Sequence, residues 1–449
     1  MRAAVAAGHP ATAAAGIEIL EDGGTAADAA VAMSLASCVA ETVMTGLLGG
    51  GHAIWWDGAR ARLLDCFVSV PSQQAEMEQL PVPFGEEIVH YAIGPASCAV
   101  PGLPAGLEAL WREGGRLPWP RLVEPALRLA REGVEMPPAH AACLAMLASV
   151  MTMNRGAELY ARGGRLLAAG DRLEQPGLAA ALELVAGEGA AAFYSGSLAE
   201  ALLAVDGVVV TRDDLACYEA RWAEPLEIER AGTRFLTRSG LSDVPGLLAR
   251  LPPLGSLGET ERVLALVEAL AEPGLDGHTT NLVAVDAEGR ACVLTSSLGL
   301  GSGDFVPGLD LHLNSMLGEV DLVRSPLVSG ERMESMMAPT LVFDRDGPTL
   351  AIGAAGGTRL GTALVAVAAG VLEEGLEPEA AVERPRVYPV GSLVNAEPGV
   401  DEAALGRLEE SGWSVRRWPA HHHYFGGVSV VSRRGAAGDP RRSGAARTL

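Results

Sequence analysis

Three pairs of short apolar alternations, each folded about a tight polar turn, constrain this chain more than any other feature. Residues 52–56 and 61–64 flank Asp57-Gly58. Residues 281–286 and 290–296 flank Ala287-Glu288-Gly289. Residues 340–343 and 348–353 flank Asp344-Arg345-Asp346-Gly347. A period of two marks strands, and turns this short join only antiparallel neighbours. Helical periodicity surrounds the hairpins. Residues 10–44 read as two helices broken at Gly23-Gly24, 104 to about 205 as mostly helical, and 262–271 and 359–374 as single helices. The Pro/Gly-rich stretch 240–258 reads as a connection, and 426–432 as a late strand. Hairpins with packed helices predict a layered α/β sandwich, largely of antiparallel sheet.

At 449 residues, 49% hydrophobic and 20% charged, the chain can bury a large core. The formal charge of −22 argues against nucleic acid and against an anionic membrane surface. All 34 basic residues are arginine. Without lysine there is no Schiff-base or phosphate-loop lysine, which removes pyridoxal-phosphate enzymes and P-loop nucleotide hydrolases. Cys38, Cys66, Cys98, Cys143, Cys217 and Cys292 form no close pair and read as buried free thiols in a reducing compartment. The apolar start is too short for a signal peptide and no window approaches a membrane span, so the expectation is a cytoplasmic protein without a membrane partner.

Thr279-Thr280 opens the second hairpin. A threonine becomes a nucleophile when a base lies within hydrogen-bond reach. The nearest base is its own α-amine, whose ordinary pKa is about 7.7–8.0. That amine is free only if the chain is cut before Thr279. The two hydroxyls can equally start a strand and satisfy backbone groups. His278 stands beside them and could assist proton transfer. Gly353-Ala354-Ala355-Gly356-Gly357-Thr358-Arg359 joins a strand to a helix. Its N–H groups can converge on an oxyanion, or its glycines can simply supply the positive φ of a tight turn. Residues 47–51 lack the Lys-Ser/Thr of a phosphate cradle and read as a close-packing turn. His421-His422-His423 reads as a partly exposed run, and no metal or cofactor is expected. Residues 435–449 read as a small-residue, Arg-rich tail.

Together these segments resemble the gamma-glutamyltranspeptidase family along the whole chain. The resemblance begins with His9-Pro10, Gly23-Gly24-Thr25-Ala26-Ala27-Asp28-Ala29-Ala30-Val31-Ala32 and Gly49-Gly50-Gly51. It continues more weakly through Pro118-Trp119 and Asp213-Asp214-Leu215. It closes with Thr279-Thr280, Gly301-Ser302-Gly303, Pro339-Thr340, Gly356-Gly357-Thr358-Arg359, Tyr424-Phe425-Gly426-Gly427 and Asp439-Pro440-Arg441-Arg442-Ser443-Gly444. The resemblance implies a four-layer αββα sandwich of the N-terminal-nucleophile hydrolase type. It implies self-cleavage before Thr279 into segments 1–278 and 279–449, held together as a heterodimer that can pair further. Thr279 would be the nucleophile, with Thr280 beside it, its own amine as base, and Gly356 and Gly357 as oxyanion donors. Ser297 keeps a hydroxyl that the family has near the nucleophile.

The departures lie in the substrate pocket. The family holds its glutamyl carboxylate with the arginine of a Phe-Arg-Glu motif; Phe67 stands there instead. A bidentate cation becomes an apolar ring. The family's Leu-Ser-Ser-Met is Glu334-Ser335-Met336-Met337, an asparagine is Gly299, and a further polar position is Met316. The acid expected to hold a substrate amine is Glu319. The expected function is a threonine amide hydrolase or acyltransferase for a small-molecule acyl or amide substrate lacking a free glutamyl carboxylate, with a biosynthetic pathway as one setting for it. Two alternatives stay open: a hydrolase of C–C bonds beside a carbonyl in secondary metabolism, and an unprocessed relative serving as a binding subunit.

Overall fold

In the computed structural model, residues 1–84, 87–271 and 279–449 are described. Two antiparallel sheets face each other. The first uses β1 (Ala4–Ala7), β2 (Gly50–Trp56), β3 (Ala61–Cys66), β4 (Arg221–Ala223), and later β7 (Thr280–Val285), β8 (Ala291–Ser297) and β13 (Ala445–Thr448). The second uses β5 (Leu226–Arg230), β6 (Thr233–Thr237), β9 (Thr340–Asp344), β10 (Gly347–Ala355), β11 (Gly427–Ser432) and β12 (Ala436–Gly438). The strand orders are β4-β3-β2-β8-β7-β1-β13 and β5-β6-β9-β10-β11-β12.

Alternation along the strands sorts side chains into three apolar layers. On β7, Leu282 and Ala284 join one cluster, shared with the helices α1 (Pro10–Glu21), α2 (Ala26–Ala40), α3 (Leu103–Gly114), α4 (Trp119–Glu132) and α5 (Pro176–Glu188). Val283 and Val285 point the other way and meet Leu341, Phe343, Ala351 and Val431 of the second sheet. Val342, Leu350, Ile352 and Val430 face outward again, onto α6 (Val244–Arg250), α7 (Glu259–Leu270), α8 (Arg359–Leu372), α9 (Pro378–Glu383) and α10 (Glu402–Glu410). Helix, sheet, sheet and helix therefore form the expected αββα sandwich.

The three predicted hairpins form with the expected pairings. Gly49 packs as a close-approach residue, since a methyl there would lie 2.2 Å from the Ser297 carbonyl oxygen. Other regions differ from the sequence reading. Residues 240–258 contain α6, whose Asp243 caps the Gly246 N–H at 3.1 Å. Residues 435–449 are no tail: β12 and β13 are edge strands of the two sheets, and Arg441 and Arg442 are buried between them. Five cysteines are buried free thiols, but Cys217 is exposed. An antiparallel pair, Glu78–Phe84 with Glu87–Ile93, and the strands β4–β6 were not read from the sequence, where Pro81 and Pro83 interrupt the first strand and β4–β6 are five residues or shorter.

Candidate active site

Hairpin register sets the first geometry. Thr280 pairs with Ser296, which places Thr279 and Ser297 opposite each other at the open end of β7 and β8. Thr279 is buried and lies between two cavities, of about 330 and 280 Å3. His278 lies outside the described residues.

The larger cavity gathers most of the residues singled out in the sequence. Thr279, Ser297 and Gly357 form one side. Gly299 and Glu319 lie along another, and Phe67, Met316, Ser335 and Met336 complete the wall. Met337, from the same four-residue stretch, also faces it, as does Leu322, which the sequence had not singled out. Thr280 faces the smaller cavity. Gly356 lines neither, but sits beside Gly357 at the turn from β10 into α8. Gly356 has φ +128° and Gly357 +60°. This turn needs glycine: a Cβ on Gly356 would come within 2.8 Å of the Gly426 Cα. Helix α8 begins two residues after Gly357, so its N-terminus, where backbone dipoles favour negative charge, adjoins the cavity wall in the chain.

Glu319 is buried in the larger cavity. Its Oε1 accepts from the Leu300 N–H at 2.9 Å and the Ser315 hydroxyl at 2.8 Å. Burial pushes it up to about 7, against the pull of those hydrogen bonds. Asp321 nearby is also raised to about 7, by burial and then by the Glu319 charge. Gly299, with φ +70°, makes room for this acid: a Cβ there would sit 2.6 Å from Glu319 Oε1. An asparagine at this position would collide with the carboxyl.

Phe67 is buried and stacks on His52 at 5.6 Å. Two arginines lie behind this wall, but both are engaged. Arg238 donates to the carbonyls of Ser335 and Met337 at 3.1 and 2.8 Å. Arg332 lies 3.7 Å from Asp65 and over the Tyr218 ring. No arginine faces the larger cavity among the described residues. The cavity thus combines a hydroxyl pair, a glycine turn and one buried acid with walls of Phe and Met.

The smaller cavity contains a residue the sequence reading missed. Helix α2 is buried along its whole length and delivers Glu41 into the interior at its end. Glu41 is the single Asp, Glu, Lys or Arg between Asp28 and Asp57, which was the available signal. Its carboxyl accepts from Thr12 Oγ1 at 2.6 Å and from Thr280 Oγ1. His422, from the triple-histidine run, accepts from the Tyr424 N–H at 3.1 Å. No cluster of three His, Cys, Asp or Glu with metal-binding geometry occurs among the described residues. None of the described helices is long and apolar enough to cross a membrane.

The model of the gamma-glutamyltranspeptidase family matches residues 12–254 and 258–449. An acylase ACY 1 proenzyme of Pseudomonas sp. (strain SE83) is 29% identical over 506 aligned positions, covering 96% of this chain and 90% of its own. A glutathione hydrolase proenzyme of Bacillus subtilis (strain 168) is 25% identical, covering 98% and 90%. The crystal structure of cephalosporin acylase from Bacillus halodurans superposes with a TM-score of 0.87 at 23% identity, covering 100% of this chain and 96% of that one. The chain belongs to the gamma-glutamyltranspeptidase family and has the N-terminal-nucleophile hydrolase fold.

Proposed function

We propose that this enzyme is a self-processing threonine amide hydrolase or acyltransferase, with Thr279 as nucleophile and an acyl pocket that no longer recognises a glutamyl carboxylate. The chain is cut before Thr279, and segments 1–278 and 279–449 remain a heterodimer. Strand order supports their staying together. In the first sheet β1 lies between β7 and β13, and in the second β6 pairs with β9, so each sheet mixes strands of both segments.

The observation that carries the reading is the larger cavity, where Thr279, Ser297, Gly357 and Glu319 meet walls of Phe67, Met316 and Met336. The freed Thr279 amine takes the hydroxyl proton as Oγ1 adds to the substrate carbonyl. The Gly356 and Gly357 N–H groups receive the oxyanion. Collapse expels the amine, and water or another amine releases the acyl group from Thr279. Where the family has an arginine the cavity has Phe67, so a free carboxylate at that end would be buried without a partner. Breaking such a buried pair costs about 3–5 kcal/mol. Glu319 can still receive a cationic or hydrogen-bond-donating group. Of the activities in the relatives' names, this pocket favours acylase over glutathione hydrolase.

Intact mass of the wild type beside Thr279→Ala tests the nucleophile. Two fragments, 1–278 and 279–449, are expected in the wild type and one chain in the variant. An uncut wild type would refute self-processing. A screen of γ-glutamyl, glutaryl and apolar acyl amides tests the pocket, with apolar acyl amides expected to be cleaved fastest. Rapid turnover of glutathione would sink the specificity assignment.

A further inference from the structure

Before the cut, Thr279 has no free amine: its nitrogen is an amide. Self-cleavage therefore needs a proton acceptor other than the one used in later turnovers. The smaller cavity, which Thr279 lines as well as the acyl pocket, supplies candidates. Glu41 is buried there and holds the hydroxyl of Thr280, the neighbour of Thr279. Three buried polar atoms on residues facing this cavity have no hydrogen-bond partner among the described residues: Arg442 Nε, His140 Nδ1 and Asn281 Nδ2. Buried polar groups of this kind are satisfied by ordered water.

We propose that Glu41, acting through the Thr280 hydroxyl and water in the smaller cavity, accepts the Thr279 proton during self-cleavage and positions the nucleophile for it. This deepens, and rests on, the self-processing reading. In the step, Thr279 Oγ1 adds to the carbonyl carbon of residue 278 and its proton passes to the Glu41 carboxylate. The C–N bond then breaks, Glu41 returns the proton to the departing Thr279 nitrogen, and an ester links residue 278 to Thr279 Oγ1. Water hydrolyses that ester, leaving a free carboxylate and a free α-amine. Glu41 is then a positioning residue, because the amine takes over as base.

The groups facing Glu41 agree with this role. From its own helix comes Cys38, whose thiol burial keeps protonated, with the Glu41 charge adding to the effect. Thr12 comes from α1 and Thr280 from β7. His140 is lowered to about 3, chiefly by burial, and His9, 5.2 Å from it, to about 4 for the same reason, so both are neutral near pH 7. Asp439 is tied to Arg386 and Arg441. Arg442 is the facing cation and favours the Glu41 carboxylate. Burial outweighs these partners and raises Glu41 to about 7. The acceptor is ionised above that value, so the rate should climb with pH to a plateau.

The test is precursor made by brief cell-free synthesis, transferred to buffers on both sides of neutrality, with cleavage followed by intact mass. The wild type should show an acid limb centred near Glu41's value of about 7. Glu41→Gln should lose that limb and cleave on the order of 10²-fold more slowly at the plateau. Thr280→Val, an isostere without the hydroxyl, should also be slow, and Thr280→Ser should restore most of the rate. If Glu41→Gln does not fold, the two Thr280 variants decide. Wild-type rate and pH profile in Glu41→Gln, or in Thr280→Val, would overturn the proposal. A wild type that stays uncut, or a Thr279→Ala variant that is cut, would instead defeat the self-processing reading beneath it.

Discussion

Replacing Asp439 by alanine tests whether the C-terminal arginine segment is a structural lock. Asp439 Oδ2 accepts from Arg386 Nη2 at 2.6 Å and from the Val428 N–H at 3.0 Å. Its Oδ1 accepts from the Arg441 N–H at 3.0 Å and Arg441 Nη1 at 3.2 Å. The side chain is fully buried, so none of these bonds is replaced by bulk water when it is removed. Removing one partner of a buried pair costs about 3–5 kcal/mol. The low end applies, because Arg441 keeps Glu397 and Arg386 keeps three backbone carbonyls. At roughly 2.1 cal/mol/K per residue, 449 residues give an unfolding entropy of about 0.9 kcal/mol/K. Asp439→Ala should therefore lower Tm by about 3 °C in scanning calorimetry at neutral pH. Arg447→Ala, a charge loss at an exposed site in the same segment, should leave Tm within about 0.6 °C, corresponding to 0.5 kcal/mol. Burial alone would raise the Asp439 carboxyl, but Arg386 and Arg441 outweigh it and hold it below the usual range. Its contribution is complete above the unfolded value of about 3.9 and is lost as pH falls through the folded one. The difference between wild type and variant should thus persist at pH 5 and close only in stronger acid. A variant within about 1 °C of wild type at neutral pH would refute this account of the segment.

Two further substitutions probe the glycine turn and the acid of the acyl pocket. Gly356→Ala forces a positive φ on a residue with a Cβ and presses that Cβ on Gly426; it should cost about 1–3 kcal/mol of stability and on the order of 10² in kcat. An alanine variant with wild-type turnover would remove Gly356 from the oxyanion site. For Glu319, burial holds the carboxyl neutral until about pH 7, so KM for an acyl donor carrying an ammonium group should fall as pH rises through 7. Glu319→Gln should make that KM insensitive to pH. The same pH slope in the variant would show that another group receives the ammonium.

Much of the sandwich was readable because its signals are local. Period-two runs around Asp57-Gly58 and residues 287–289 specify strands, turns and antiparallel neighbours within about 16 residues of chain. The spacing of 18 between Thr279 and Ser297 follows from that hairpin register, so part of the candidate site was readable as well. Gly356-Gly357 could be placed between a strand and a helix for the same reason. Strands β4–β6 escaped notice for separate reasons: β4 is three residues long, β5 alternates only over Leu226–Glu229 and is largely exposed, and β6 sets Phe235 beside Leu236, which breaks a period of two.

The sequence by itself determined the hairpins, the helix pair that includes α2, the hydroxyl pair at the head of β7 and the absence of lysine chemistry. Only the tertiary structure decided what the polar residues face. Ala7 pairs with Ala445 across more than 400 residues, and nothing in residues 435–449 alone distinguishes a tail from an edge strand. Glu41 reads as a helix-end charge until α1, β7 and the turn at Arg442 close around it. Apolar periodicity is a property of neighbouring residues, so a sequence displays it. The burial of a carboxyl, and with it its charge at neutral pH, is set by groups brought together from distant segments, and exists only once the sheets have closed.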